Sequence, residues 1–255
     1  MISFNRDSIE VEIYNSREQM GVAAAEAISA YVRQLHTRKK EINIVFAAAP
    51  SQNEFLNALQ KCDLPWDSIN AFHMDEYIGL EEDARQGFGN FLRSRIFDMV
   101  PFRSVHYLFA KGVPAEKICT NYAALLRAYP TDIVLMGIGE NGHIAFNDPH
   151  VARFDDSEQV KIVSLDRVCR QQQVNDGCFA SIEQVPTHAI TLTVPALLSA
   201  EKIICVVPGP MKADAIAATV NGPITNHCPA TALRTHRNNV TLYCDLDSAK
   251  HIIQP

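Results

Sequence analysis

No stretch of these 255 residues is apolar for the length of a membrane span. The opening MISFNRDSIEVEIY also lacks the apolar core of a secretion signal. Both absences point to a cytoplasmic protein. No CxxC pair occurs among the seven cysteines, Cys62, Cys119, Cys169, Cys178, Cys205, Cys228 and Cys244. Their number is odd, and several fall inside apolar runs where cysteine acts as a small hydrophobe, so reduced thiols are expected and a structural zinc is not. A basic stripe is missing too. Lysines and arginines are dispersed under a formal net charge of -6, which argues against a nucleic-acid or anionic-membrane surface and leaves a small molecule as the expected partner. Repeats, low-complexity segments and linker-like shifts in composition are absent. With 47% hydrophobic residues, one core and one domain over residues 1–255 are expected.

What is present is an alternation of strand and helix patterns. Short apolar runs predict strands at Ile42 to Ala49, Ile69 to Met74, Asp132 to Met136, Val160 to Leu165, His188 to Val194, Lys202 to Val207 and Val240 to Cys244. Between them, amphipathic patterns predict helices over Ser51 to Gln60, Gly89 to Met99, Pro114 to Ala128 and Met211 to Val220. A longer helix starts after Ser16, where Ser16 and Gln19 have capping-box spacing, and runs towards His36. Such alternation implies an α/β fold with a mostly parallel sheet and helices on both faces.

In open sheets of this kind ligands bind beyond the C-terminal ends of the strands, and polar residues gather there. After Ile42 to Ala49 comes APSQNEF, with Ser51 and Gln52 at a helix start whose free N–H groups suit an anion; simple N-capping is the plain alternative. After Ile69 to Met74 come adjacent carboxylates Asp75 and Glu76, of which one can point into a cleft and the other away. An exposed acidic turn would look the same. After Asp132 to Met136 comes GIGENGHIAFNDP, with His143 and Asp148 near Gly137, Gly139 and Gly142, residue types suited to acid–base work. Those glycines also match G-x-G-x-x-G, but Asn147, Asp148 and Pro149 leave no room for the helix a dinucleotide site needs. After Lys202 to Val207, Lys212 sits in the first turn of a helix, opposed to its dipole, where an anionic ligand would offset the repulsion.

FHMDEYIGL, then GIGENGHIAFNDP, then VPTHAITLTVPALLSAEKIICVVPGPMKADAI, in this order and spacing, resemble the glucosamine-6-phosphate deaminase (isomerase) family, which also includes 6-phosphogluconolactonases. The resemblance spans most of the chain. Pairing of MDEY with GHIAFN favours the deaminase branch. The resemblance implies a three-layer α/β/α sandwich and conversion of an amino-hexose 6-phosphate and water to a ketose 6-phosphate and ammonia, with no metal or organic cofactor. It implies that Asp75 moves a proton between C2 and C1, that His143 opens the sugar ring, that Asp148 holds and polarises His143, and that Lys212 binds the phosphate. Glu76, Gly139 and Gly142 are expected to line the substrate site, and a homo-oligomer is left open.

The chain also departs from that family. Asn141 stands where an aspartate is usual, which resembles relatives assigned to galactosamine 6-phosphate and leaves the C4 epimer open. APSQNEF replaces a loop rich in Gly and Thr, with Ser51 and Gln52 as substitutes. An ungapped reading puts Gln172 in the place of a phosphate-binding arginine, with Arg170 two residues away as a replacement. Besides the deaminase, two alternatives are open: a 6-phosphogluconolactonase, and a sugar-phosphate sensor that keeps the fold without the chemistry.

Overall fold

The computed structural model describes residues 1–237 and 239–253. In chain order its elements are β1 (Ile2–Arg6), β2 (Ile9–Tyr14), α1 (Arg17–His36), β3 (Ile42–Phe46), α2 (Asn53–Leu59), β4 (Ile69–His73), β5 (Asp75–Tyr77), α3 (Phe88–Leu92), β6 (Ser104–His106) and α4 (Ala115–Ala128). Then come β7 (Ile133–Met136), β8 (Val160–Ser164), α5 (Arg167–Asn175), β9 (His188–Leu192), α6 (Val194–Leu198), β10 (Lys202–Val207), α7 (Ala213–Asn221), β11 (Val240–Asp245) and α8 (Lys250–Ile253). No described helix is long and apolar enough to cross a membrane.

Eight strands form the central sheet in the order β1-β2-β11-β10-β7-β3-β4-β6. All neighbours pair in parallel except β1 with β2 at one edge. Side chains alternate between its faces, as the period of two in a strand requires. Val45, Phe72, Val134, Met136, Cys205 and Leu242 enter one core with Tyr122 and Leu126 of α4 and Ile216 and Val220 of α7. Ile44, Phe46, Leu135, Ile204 and Val206 enter the other with Ile28 and Val32 of α1 and Phe55 and Leu56 of α2. Helices therefore cover both faces, and the three-layer α/β/α sandwich is the observed architecture. At the N-cap of α1, the Ser16 hydroxyl accepts the Gln19 N–H at 3.3 Å.

Two expected strands lie elsewhere. Val160–Ser164 and His188–Leu192 do not join the parallel sheet; as β8 and β9 they pair antiparallel, and β5 completes a separate three-stranded sheet in the order β5-β9-β8. The connection from β4 to β5 is Met74 alone, far too short for the crossover that a parallel neighbour needs. Expected helices keep their places with trimmed ends. Pro50–Gln52 and Pro210–Lys212 are 3-10 turns leading into α2 and α7, and the Gly89 to Met99 pattern divides into α3 and a wider turn over Arg93–Phe97. Sequence reasoning omitted β1, β2, β5, β6, α5, α6 and α8.

The order of strands places the site. From β3 the chain proceeds outward one way through β4 and β6, while β7, β10 and β11 lie on the other side. Loops after β3 and β7 diverge there, which opens a crevice at the C-terminal edge. One helix contact can be tested directly. A Cβ on Gly21 of α1 would lie 2.8 Å from the Phe55 nitrogen and 2.9 Å from the Glu54 carbonyl carbon of α2, both backbone atoms that cannot swing aside. Gly21→Ala is expected to cost about 1–3 kcal/mol by overpacking, read as a lower urea midpoint at unchanged slope.

Candidate functional site

The crevice holds a cavity lined by residues from the loops after β3, β4, β7 and β10 and from α5. Asp75 stands where the chain turns from the large sheet into the small one. The backbone around that corner is pinned. Leu108 N–H donates to His73 Nε2 at 2.8 Å, so Nδ1 carries the ring's proton and donates to the Asp75 carbonyl at 2.9 Å. Burial holds the His73 pKa down at about 4, against the opposing pull of that carbonyl. The Tyr122 hydroxyl accepts the His73 N–H at 3.0 Å and donates to the His73 carbonyl at 2.9 Å.

Asp75 itself is 6% exposed, lines the cavity, and has no hydrogen-bond partner for Oδ1 among the described residues. Burial, and after it the neighbouring Glu76, push its carboxyl well above the ordinary range. Glu76 points the other way. Its carboxylate accepts the N–H groups of Tyr77, Phe88 and Gly89 at 2.9, 2.9 and 2.8 Å. Glu76 therefore anchors the start of α3 and does not line the cavity, which corrects the expectation that it meets substrate.

The turn after β7 is built on glycines as its pattern suggests. Gly139 N–H donates to the His143 carbonyl at 2.9 Å and Gly142 N–H to the Gly139 carbonyl at 3.0 Å. A Cβ on Gly139 would overlap the His143 ring, and Gly142 has φ +80° with its α-carbon packed towards Cys228. Gly139 lines the cavity; Gly142 shapes the turn behind it and does not. No helix follows Gly142, as excluded for a dinucleotide loop. Ala145, which also lines the cavity, has φ +47°, a strained conformation costing on the order of 1–3 kcal/mol. Asn147 Nδ2 holds that segment by donating to the carbonyls of Ile144 and Leu192 at 2.9 and 2.8 Å.

Asn141 organises the histidine. Its Oδ1 accepts the His143 backbone N–H at 3.1 Å and faces the ring Nδ1 at 2.7 Å, while its Nδ2 donates to Asp148 at 3.0 Å and Asp166 at 2.9 Å. Only one orientation of the carboxamide satisfies all four, so Nδ1 is the protonated ring nitrogen. Asp148 reaches the same nitrogen at 3.2 Å and accepts the Asp166 N–H at 3.1 Å. Its short side chain suffices. Burial alone would raise the Asp148 carboxyl, but the bond and charge of His143, then Asn141 and the Asp166 N–H, hold it below the usual range. His143, Asp148 and Cys169 offer donor atoms within 4.8 Å of one another, a geometry a metal could use. The donors are already engaged. Burial, then the charges of Asp148, Asp166 and Asp75, push the Cys169 thiol well up, so it stands protonated against Asp148.

Lys212 is 6% exposed and lines the cavity, as does Ser51. Burial lowers the lysine's pKa, against the opposing charges of Asp176 and Glu140. Gln52 lines the cavity while its Nε2 donates to the Val206 carbonyl at 3.0 Å, tying the loop after β3 to β10. Gln172 is also on the wall, with Oε1 accepting the Glu140 N–H at 2.9 Å and Nε2 donating to Asp176 at 3.3 Å. Arg170 is elsewhere. Its guanidinium donates to the carbonyls of Ile182 and Val185, so it closes the loop after α5 and is not among the cavity's lining residues. Sequence reasoning missed Gln173, Phe88 and Phe146, which also line the cavity; only the side on which α5 packs tells Gln173 from its neighbours.

Residues 15–242 match the sequence model of a family described as glucosamine-6-phosphate isomerases/6-phosphogluconolactonase. A glucosamine-6-phosphate deaminase of Bacillus cytotoxicus is 29% identical over 240 residues, 94% of this chain and 88% of its own. One from Bacillus thuringiensis is 30% identical over 224 residues, 88% of this chain and 83% of its own. Among solved structures, a monomeric glucosamine-6-phosphate deaminase gives a TM-score of 0.85 at 26% identity, covering 94% of this chain and 99% of that one. The 6-phosphogluconolactonase of Thermotoga maritima gives 0.75 at 19% identity over 92% and 98%, a likeness of fold.

The unpartnered Asp75 carboxyl has a thermodynamic consequence. Its folded pKa is raised, so between the unfolded value near 3.8 and the folded one the native state binds more protons, and stability is lost as pH rises through that window. Asp75→Asn removes this loss. The variant is expected to melt higher than the parent, by about 2–4 °C for each kcal/mol recovered, and the difference should widen as pH rises above the unfolded carboxyl value.

Proposed function

The chain belongs to the glucosamine-6-phosphate isomerase/6-phosphogluconolactonase family, and we propose that it is an amino-hexose 6-phosphate deaminase. It takes glucosamine 6-phosphate or galactosamine 6-phosphate with water to the ketose 6-phosphate and ammonia. The observation that carries this reading is a buried, unpartnered carboxylate, Asp75, on the same cavity as a histidine whose Nδ1 proton is fixed. His143 Nε2 is then the acceptor of the ring. It takes the proton of the sugar's anomeric hydroxyl and returns one to the ring oxygen as the pyranose opens. Asp75 takes the C2 proton of the open-chain aldehyde and delivers it to C1, while the C1 oxygen takes up the proton that the C2 ammonium releases. The nitrogen at C2 becomes an iminium, water adds there, and ammonia leaves. A base with a raised pKa suits a proton that must be both taken and given back.

Lys212 supplies charge for the phosphate, and Ser51 lines the same cavity. Every polar group named comes from one chain, so the reading requires no second subunit. A deaminase of this kind acts on a cytoplasmic metabolite, in keeping with seven free cysteines.

Ammonia release from each sugar phosphate tests the proposal. Turnover is expected with at least one epimer, and Asp75→Asn and His143→Gln are each expected to lower kcat by about 10²- to 10⁴-fold. Undiminished ammonia release by Asp75→Asn would sink the mechanism. Hydrolysis of 6-phosphogluconolactone without ammonia from either amino sugar would replace it with the lactonase.

A further inference from the structure

The wall formed by α5 and Lys212 is poor in charge for a phosphate site. Among the described lining residues Lys212 is the only lysine or arginine. The carboxylates that act on it, Asp176 and Glu140, belong to the residues that engage the Gln172 carboxamide. Lys212 and the end of α5 therefore share one side of the cavity. The next residue of α5, Gln173, lines the same cavity and is 6% exposed. Gln52 and Gln172 both spend their carboxamides on protein partners. Gln173 makes no side-chain hydrogen bond to any described residue. Its carboxamide is therefore left free of protein partners for a ligand or water in the cavity.

A phosphate monoester carries about -1.5 to -2 at neutral pH, whereas one lysine balances a single unit. A carboxamide adds no charge, but it offers N–H donors and a C=O acceptor, where arginine offers donors alone. Resting on the reading of this cavity as an amino-sugar site, we propose that Gln173 contacts the substrate and sets its specificity. Its carboxamide and Lys212 together hold the oxyanion at the far end of the sugar, and the pair is matched to an oxyanion of one negative charge. A sulfate monoester is then accepted alongside a phosphate.

Glucitol 6-phosphate and glucitol 6-sulfate can neither isomerise nor release ammonia, so calorimetric titration of the full chain with each measures binding apart from chemistry. The wild type is expected to bind the two within about fivefold of each other. Gln173→Leu, close in volume but unable to hydrogen-bond, is expected to weaken both by about tenfold or more, and Gln173→Arg to shift the preference towards phosphate by at least about tenfold. Wild-type preference for phosphate by about a hundredfold, equal binding by Gln173→Leu, or no binding of either ester to the wild type overturns the proposal. Ammonia release from glucosamine 6-phosphate and glucosamine 6-sulfate is followed in parallel, where Gln173→Leu is expected to raise KM while kcat stays within about threefold. The expected binding pattern without ammonia from any substrate would remove the deaminase reading and leave Gln173 assigned. Ammonia release with Gln173→Leu indistinguishable from wild type would do the reverse.

Discussion

The Asn141 carboxamide is the contact on which the arrangement of the site depends. One oxygen fixes the turn and the ring of His143; one nitrogen ties that turn to Asp148 and to Asp166, the N-cap of α5. Loop and helix are thereby set against each other, and the Gln172–Gln173 wall is positioned by the same knot. An aspartate here would keep the first pair of bonds and lose the second. It would also place a third carboxylate within about 3 Å of two others, close enough for strong mutual repulsion. Read from sequence, the residue is a charge lost; read from geometry, it is a pair of donors gained.

That knot is fully satisfied, while the groups facing the cavity are not. Asp75 and Lys212 are each nearly buried, and burial shifts them in opposite directions, each towards its neutral form. Neither has a protein ion pair among the described residues. Such groups destabilise the fold, and they are held in place by packing that is not polar. Tyr77, Phe88 and Phe146 form a connected aromatic set at the cavity, with Phe88 and Phe146, which line it, stacked at 5.4 Å. Aromatic pairs of this kind contribute about 0.5–1.5 kcal/mol each beyond their buried area. The sharing of labour is clear: aromatic packing stabilises the corner, and the polar groups are left open for a ligand.

Much of this was legible in the residues, and what was not has identifiable causes. The central parallel strands were readable because both of their faces are buried, so β3, β4, β7 and β10 are short apolar runs. Asp75, His143 and Lys212 follow such runs and could be placed at strand ends from sequence alone. The alternating IEVEIY of β2 carried a strand signal in its buried Ile9, Val11 and Ile13, which a search for apolar runs passes over. Assignment of β8 and β9 to the second sheet was not readable, because apolar content does not say which strand a strand pairs with. Arg170 and Gln173 failed for another reason. Three consecutive glutamines after an arginine give no apolar period by which to orient α5, so which side chain meets the cavity is decided only by packing.

The two adjacent carboxylates show how one local rule divides the work. Strand geometry sends Asp75 and Glu76 to opposite sides. Glu76 then meets three backbone N–H groups and becomes part of the scaffold, while Asp75 meets none at Oδ1. Burial raises both, but only the carboxyl that lacks donors keeps a free oxygen on the cavity. His73 secures that difference from beneath. Locked as a neutral donor to the Asp75 carbonyl, it fixes the main chain at the corner and adds no positive charge beside the base. A charged histidine in that place would favour the ionised aspartate and draw its pKa down, away from the value at which a carboxyl can both take a proton and give it back.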